Sequence, residues 1–143
     1  MSDESARKYD NGKAEYSLIP PAALKEIALV FTHGRTKYGP NNWLLEEGLE
    51  WTRVYDAAIR HIQAWASGDD TDSESHLPHL AHAAVNIIFL LEYWKRGAGI
   101  DNRYFANQMP NFDFERLDEK HKEHENRLLK YTTNDTGRKN RWQ

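Results

Sequence analysis

The sequence predicts an all-α protein: a compact helical bundle of three main helices followed by a charged C-terminal helix, assembled into an oligomer. Apolar residues recur at intervals of three and four in three separate stretches, which is the periodicity of helices that bury one face. No stretch of useful length shows the alternation typical of strands, and the sequence contains no repeat or glycine-rich phosphate loop. Three helices of this size leave Trp and Leu faces to be covered, which predicts the oligomer.

The bulk composition narrows the class of protein. At 143 residues the chain is long enough for one domain with a substantial core. Its net charge of -3 gives no reason to expect binding to duplex nucleic acid. The absence of cysteine excludes disulfides and thiolate metal sites and favours a cytoplasmic protein. The acidic start of the chain lacks the apolar run of a signal peptide, and no uninterrupted apolar stretch is long enough to predict a membrane span.

The composition also divides the chain into four segments. A polar N-terminal segment precedes the three apolar helices, and a loop with a highly charged helix at about 113–130 follows them. The end of the chain is polar and basic and is predicted to be disordered. The predicted boundaries are 1–17 for the N-terminal segment, 18–97 for the helical domain, 98–131 for the loop and charged helix, and 132–143 for the tail.

The first helix is predicted to begin at Pro20 and Pro21, because proline is tolerated in the first turn of a helix. Its apolar positions share one face: Leu24, Ile27, Ala28 and Phe31. Gly34 is expected to end the helix, since glycine often follows the last helical residue. The stretch from about 34 to 50 is then predicted to be a loop.

The second and third helices are predicted at about Glu50–Ala66 and at Leu77–Trp94. The second is amphipathic and carries His61 on its apolar side. The third is apolar nearly all the way round, which indicates a helix buried in the core. Thr71 with Glu74, or Ser75 alone, is expected to cap it. Polar residues interrupt it along one narrow stripe: His79, His82 and Asn86, with Tyr93 two turns further on.

The polar stripe of the third helix is a candidate metal site. Buried polar groups are costly without partners, and a short link between antiparallel helices brings the end of one beside the start of the next. His61 and the acids of the link are therefore expected to converge near His79. These acids are Asp69, Asp72 and Glu74. Imidazole and carboxylate ligands suit Mn, Fe, Ni and Zn, and carboxylate-rich sites suit Mg and Mn. The alternative is that the histidines hydrogen-bond within the core while the acids stay solvated.

The predicted loop after the first helix is a candidate nucleotide site. It combines cations with aromatic and amide side chains: Arg35, Lys37, Tyr38, Asn42 and Trp43. A nucleotide pocket uses aromatic side chains to stack on the base and cations to bind phosphate. Arg60 is a further candidate for phosphate, or it pairs with Asp56 one turn earlier. The alternative for Tyr38 and Trp43 is that they anchor the loop on the core.

A succession of short motifs resembles a phage family, the N-terminal domain of dATP/dGTP diphosphohydrolases. The motifs are Lys8-x-Asp10-x-Gly12-Lys13, Leu18-Ile19-Pro20, Lys37-Tyr38-Gly39 with Asn42-Trp43, Arg60-His61, Gly68-Asp69 with Asp72 and Glu74, and His79-x-x-His82-x-x-x-Asn86. The resemblance covers roughly residues 8–96. It implies an all-α, metal-dependent enzyme that cleaves purine deoxynucleoside triphosphates to monophosphate and pyrophosphate, related loosely to the MazG-like nucleotide pyrophosphohydrolases.

The chain departs from the MazG-like pattern at the metal ligands. Those enzymes bind Mg through Glu-x-x-Glu on one helix and Glu-x-x-Asp on the next, whereas the helices here carry His61 and His79-x-x-His82. The helical His/Asp phosphohydrolases of the HD superfamily are a second comparison, although no His-Asp doublet occurs. A divalent metal, Mg or Mn, remains the expected cofactor.

The resulting hypothesis assigns a role to each candidate residue. The expected metal ligands are His61, Asp72, His79 and His82. The expected general base or additional ligand is Asp69 or Glu74. The expected nucleotide contacts are Lys37 and Arg60 for phosphate, Tyr38 and Trp43 for the base, and Asn42 and Asn86.

Two other functions are compatible with the sequence. A non-catalytic nucleotide-binding protein, such as a phage sponge that sequesters a nucleotide defence signal, needs the pocket but no metal. A structural or partner-binding module would instead use the charged helix as its contact arm.

Overall fold

The computed structural model describes residues 7–10, 12–105 and 114–134 of the chain. Within these residues the protein is helical and has no β-strand, only isolated bridges, so the predicted all-α class is confirmed. The helices are α1 (Pro21–Tyr38), α2 (Trp51–Ala66), α3 (His79–Arg96) and α4 (Phe114–Asn134). Single 3-10 turns occur at Tyr16–Leu18 and Asn42–Leu44. None of the helices in this part of the chain is both long and apolar enough to cross a bilayer.

The chain divides into two compact units. Residues 19–110 form one unit and contain α1, α2 and α3, while residues 1–18 and 111–143 form the other and contain α4. The charged surface of α4 includes i,i+4 ion pairs between Lys122 and Asp118 and between Arg127 and Glu123. This helix reaches Asn134, slightly beyond the predicted 130. The predicted tail from residue 135 onward lies outside the described residues.

Helix α1 begins where it is predicted but does not end at Gly34. It continues for another turn to Tyr38 and ends at Gly39, which has a φ of 88°. A single glycine inside a helix costs only about 1 kcal/mol, so the residues after Gly34 can continue the helix. Pro40 then opposes further helix, because the residue before a proline is disfavoured in the helical conformation. The prediction that Gly34 ends α1 was wrong, and Arg35 lies on the helix.

The core of the three-helix unit lies between α3 and its two neighbours. Helix α2 contributes Val54 and Ala58, and α1 contributes Val30. The buried residues of α3 include Ala81, Ala83 and Val85. Because several of these side chains are small, the helix backbones can approach closely. This packing brings the C-terminal half of α2 beside the N-terminal half of α3.

The start of α3 lacks the side-chain cap that the sequence suggested. Pro78 occupies the cap position, and no side chain of Thr71, Glu74 or Ser75 caps the helix. The backbone N–H of His79 instead donates a 3.0 Å hydrogen bond to the carbonyl of Asp70 in the link between α2 and α3, residues 67–78. This main-chain bond satisfies one N–H of the first turn, which otherwise has no partner within the helix.

Helix α3 is not buried on all sides, contrary to the prediction. Leu80, Ile87, Leu91 and Trp94 are exposed. They follow one another at spacings of seven, four and three residues, so they share one face of the helix. Ala81 and Val85 of the core fall on the other side of the same helix.

Hydrogen bonds hold two segments of the chain against the C-terminal end of α3. The fully buried Tyr93 hydrogen-bonds through its hydroxyl to the backbone of Trp43 and of Leu49, on either side of the loop after α1. The indole N–H of Trp51 donates to the carbonyl of Ala98, just after α3. The loop between α1 and α2 is therefore held against α3 at two of its points.

Candidate metal centre and nucleotide cavity

His61 of α2 and His79 of α3 face each other across the helix interface. Their Nδ1 atoms are 2.8 Å apart, and which ring donates depends on the tautomers. Asp72 of the link completes a group in which one ligand atom from each residue lies within 4.8 Å of the others. His79 is buried, and the other two residues are half-buried. The structure thus brings together three of the four predicted metal ligands.

The geometry of this group fits a small divalent cation. Two nitrogens bound side by side to an octahedral ion at about 2.1–2.2 Å are about 3.0 Å apart, close to the observed separation of His61 and His79. Two imidazoles and one carboxylate suit Mn and related metals better than Mg, which prefers oxygen ligands. Three protein ligands would leave coordination positions for water or phosphate.

Two further interactions orient the ligands. Asp69 Oδ2 lies 3.4 Å from Nε2 of His79, on the side of the ring away from His61. A carboxylate beside the second nitrogen of a metal-binding histidine fixes its tautomer and leaves the first nitrogen free to bind metal. Asp72 Oδ1 accepts hydrogen bonds of 3.1 and 2.8 Å from the backbone N–H groups of Glu74 and Ser75. These contacts hold both side chains in place without a metal.

His82 was predicted as a metal ligand, but it lies outside this group. Its ring stacks on His61, with centroids 4.6 Å apart and an interplanar angle of 12°. Its Nε2 is 2.7 Å from the hydroxyl of Ser75, which also accepts from the backbone N–H of Leu77. His33 of α1 meets the same ring edge-on at 6.4 Å. The contacts of His82 therefore support the ring of His61.

Burial and neighbouring charges set the protonation of these groups. Burial lowers the pKa of His61, and the neighbouring His82 and His79 lower it further. Burial also lowers the pKa of His82. For Asp72, burial alone would raise the pKa, but hydrogen bonds from Ser75 and the proximity of His82 bring it below the usual range. At neutral pH His61 is therefore uncharged and Asp72 is ionised, which are the forms of these two ligands that bind metal.

Lys37 and Glu74 form an ion pair on the surface. Lys37 Nζ lies 2.6 Å from Glu74 Oε1, and both side chains are exposed. The hydrogen bond to Glu74 raises the pKa of Lys37 to about 12, and the same bond lowers the pKa of Glu74. Lys37 was predicted to hold phosphate, and Glu74 to act as base or ligand. The structure places each of them in contact with the other.

A cavity of about 950 Å³ opens between α1, the loop that follows it, α2 and α3. This volume is in the range of small-molecule sites. Five of the six predicted nucleotide-contacting residues line it: Tyr38, Asn42, Trp43, Arg60 and Asn86. Lys37 does not belong to the lining. His61, Asp72 and His79, here called the metal group, do not belong to the lining, although Arg60 of the lining directly precedes His61 on α2.

The aromatic side chains that line the cavity also pack against α3. Trp43 stacks on Phe89 of α3, with centroids 4.4 Å apart and an interplanar angle of 21°, and meets Tyr93 edge-on at 5.7 Å. Both Trp43 and Phe89 line the cavity. The two interpretations of Trp43 from the sequence are therefore compatible, because the anchored ring still lines the cavity.

The charges of the cavity favour an anion. Arg35, Arg53 and Arg60 line it, and Asp56 is the one acid among its described lining residues. Within the part of the chain that the structure describes, none of these arginines forms an ion pair. The predicted alternative for Arg60, a pair with Asp56, is not formed. Unpaired guanidinium groups in a cavity are suited to phosphate.

The sequence alone did not identify several residues of the site. His33, Arg53 and Phe89 belong to the cavity or its edge, and Ser75 contacts His82. A charge stripe on α2 could have identified Arg53, since it lies seven residues before Arg60 on the same face. No local pattern distinguishes His33, whose position depends on how α1 packs against α3.

Comparison with known proteins identifies relatives of the chain. Residues 3–103 match a family model described as dATP/dGTP diphosphohydrolase, N-terminal. A protein of Salmonella phage PMBT28 named dATP/dGTP diphosphohydrolase is 37% identical over 103 residues. The matched region covers 72% of this chain and 34% of the relative, so the match spans about a third of the relative's length. No solved structure matches the chain.

Proposed function

The chain belongs to the family of dATP/dGTP diphosphohydrolase N-terminal domains, and on that premise we propose that it hydrolyses purine deoxynucleoside triphosphates to monophosphate and pyrophosphate with a divalent metal. One observation carries the proposal. A cavity of nucleotide size is lined by unpaired arginines, and one of them, Arg60, directly precedes His61 of the group of two imidazoles and a carboxylate. Arg60 and His61 join the two parts on consecutive positions of α2.

The metal group would supply charge neutralisation and activated water. A divalent cation held by His61, Asp72 and His79 would offset charge on the phosphates and lower the pKa of a bound water, with Mn or Mg as candidates. The chain's own part is to keep Nδ1 of His79 available through Asp69 and to hold Asp72 through the link backbone. His82 would support His61 by stacking.

The cavity residues would bind and orient the nucleotide. Arg60 and Arg35 are suited to bidentate contact with phosphate, which positions the phosphoanhydride beside the metal group. Trp43 and Tyr38 offer aromatic surface to the base. Asn86 donates through Nδ2 to the carbonyl of His82, which leaves its Oδ1 available to the ligand.

Neither of the two carboxylates expected as general base lies where it could accept a proton from water at the metal group. Glu74 is held in an ion pair by Lys37, and this pair lowers its pKa and so weakens it as a base. Asp69 is exposed and lies 3.4 Å from Nε2 of His79, on the side of the ring away from His61, where it orients the ring. We therefore assign the ion pair of Lys37 and Glu74 to the stability of the link.

A product assay tests the proposal. The protein is incubated with dATP, dGTP, dCTP and dTTP in turn, with Mn or Mg, and nucleotides are separated by ion-exchange chromatography. We expect dAMP or dGMP together with pyrophosphate, and loss of turnover in His79→Ala. His124→Ala on α4 is the matched control and should keep full activity.

The same assay separates catalysis from capture. After incubation the protein is denatured and the released ligand is analysed. Intact nucleotide recovered from every reaction would reject hydrolysis and favour the non-catalytic sponge. If no nucleotide raises the melting temperature, both hydrolysis and nucleotide capture are rejected. The structural or partner-binding module would then be the remaining hypothesis.

A further inference from the structure

Three charged residues form a stripe along the cavity face of α2. Arg53, Asp56 and Arg60 line the cavity and lie at positions i, i+3 and i+7, so they share one side of the helix. Arg60 directly precedes His61 of the metal group on α2. Arg53 lies about 10 Å further along the helix axis. The stripe therefore extends along the α2 wall of the cavity.

Asp56, the middle residue of this stripe, is exposed and open to a ligand in the cavity. Asp56 is placed three residues after one arginine and four before another, yet the described residues include no ion pair between them. A carboxylate in a cavity for a polyanion repels the phosphates. It favours binding only when the ligand brings hydrogen-bond donors to it.

We propose that Arg53 and Asp56 select guanine over adenine in the bound nucleotide. The pairing edge of guanine carries the O6 acceptor followed by the N1–H and N2–H donors. Side chains three residues apart on a helix lie about 5–6 Å apart, which allows an arginine and a carboxylate to meet one base edge together. In this arrangement Arg53 donates to O6, and Asp56 accepts from N1–H and N2–H.

Adenine presents the opposite order on the same edge. Its N6 amino group is a donor where guanine has O6, and it would face the guanidinium of Arg53. Its N1 is an acceptor where guanine has N1–H, and it would face the carboxylate of Asp56. Specificity then comes from both attraction and repulsion. Hypoxanthine keeps O6 and N1–H but lacks the N2 amino group, so it should bind with intermediate affinity.

The inference rests on the proposed function for the location of the nucleotide, but its test does not depend on hydrolysis. Binding of dGTP, dITP and dATP is measured by calorimetry with EDTA present, so that no metal-dependent turnover occurs. We expect dGTP to bind about tenfold or more tightly than dATP, with dITP between them. Asp56→Asn should remove most of the difference between dGTP and dATP. Asp70→Asn, in the link and outside the cavity, is the control and should preserve it.

Each other outcome has a definite meaning. Equal affinities in the unmodified protein, or an unchanged ratio in Asp56→Asn, would overturn the inference. If the effect of Asp56→Asn disappears with 2′,3′-dideoxy-GTP, the carboxylate reads the sugar and the inference also fails. Selective binding without hydrolysis would reject only the proposed function, whereas hydrolysis of dGTP and dATP without selective binding would reject only this inference.

Discussion

The buried hydroxyl of Tyr93 donates a hydrogen bond to the backbone carbonyl of Trp43, on the loop that forms one wall of the cavity. The same hydroxyl accepts a 3.1 Å hydrogen bond from the backbone N–H of Leu49 at the other end of that loop. Burial raises the pKa of Tyr93, so the hydroxyl keeps its proton and remains a donor at neutral pH. One side chain of α3 thus fixes both ends of the cavity wall.

Removing this hydroxyl should loosen the cavity wall. In Tyr93→Phe the ring can still pack, but the carbonyl of Trp43 and the N–H of Leu49 lose their partner. We expect a loss of about 1–3 kcal/mol in the free energy of unfolding, measured by urea denaturation. We also expect weaker nucleotide binding, measured by calorimetry, with metal binding unchanged.

An exposed tyrosine provides the control for this variant. Tyr104 is 67% exposed, and Tyr104→Phe should alter neither stability nor nucleotide affinity. A Tyr93→Phe protein with normal nucleotide affinity would show that the loop keeps its position without the hydrogen bonds.

The contact between Asp69 and His79 predicts a graded effect on metal binding. Asp69→Asn should weaken Mn binding about 10- to 100-fold, the usual effect of removing a carboxylate that orients a ligating histidine. His79→Ala removes the ligand itself and should weaken binding further. Both effects are measured by Mn titration in a calorimeter.

Two results would contradict this arrangement of the metal group. One is Mn affinity that is unaffected by His79→Ala. The other is an effect of His82→Gln as large as that of His79→Ala, because His82 lies outside the group of ligand atoms. His124→Ala on α4 should behave as the unmodified protein.

Protein stability should fall as the solution is acidified from about pH 7.5 to 5.5. The pKa values of His61 and His82 are lowered from 6.5 in the folded state, chiefly by burial. As the pH falls through 6.5, the unfolded chain takes up protons that the folded chain does not, so unfolding becomes more favourable. Above that pH both states are uncharged at these positions, and the two histidines give no pH dependence.

Urea denaturation at a series of pH values tests this expectation. His82→Gln should flatten the dependence between pH 7.5 and 5.5, whereas His124→Gln should leave it unchanged. A stability that rises on acidification in metal-free buffer would contradict the predicted direction. Asp72 acts in a separate window below its usual pKa of 3.8, where its protonation removes stability from the link.

Local patterns in the sequence were enough to predict the three main helices and the approach of His61 to His79. Apolar periodicity located α2 and α3 closely, and the short link between two antiparallel helices predicted that His61 lies near His79. Gly34 was misleading because a weak local preference was outweighed by the continuing helix and by the stronger stop at Gly39.

The remaining details depend on packing between distant parts of the chain. Only the approach of α2 to α3 decides that His61 meets His79, while His82 stacks on His61 and contacts Ser75. The pairing of Lys37 with Glu74 joins residues 37 positions apart. Spacing within one helix carries no information on such contacts.

The exposed apolar face of α3 predicts self-association, because it is unusual for a lone protein surface. Leu80, Ile87, Leu91 and Trp94 are 47%, 52%, 53% and 39% exposed. Their spacings of seven, four and three match the heptad pattern of a helix that packs along a partner helix. We therefore predict that the protein self-associates through this face of α3.

A charge placed in the middle of this face should prevent the assembly. Light scattering with size-exclusion chromatography should give a mass well above 16.7 kDa for the unmodified chain and about 16.7 kDa for the double variant Ile87→Glu, Leu91→Glu. Leu128→Glu places the same charge at a 53% exposed leucine of α4 and should leave the mass unchanged. The prediction fails if the unmodified chain is already monomeric, or if the double variant retains the larger mass, since burying two carboxylates in an apolar interface is strongly unfavourable.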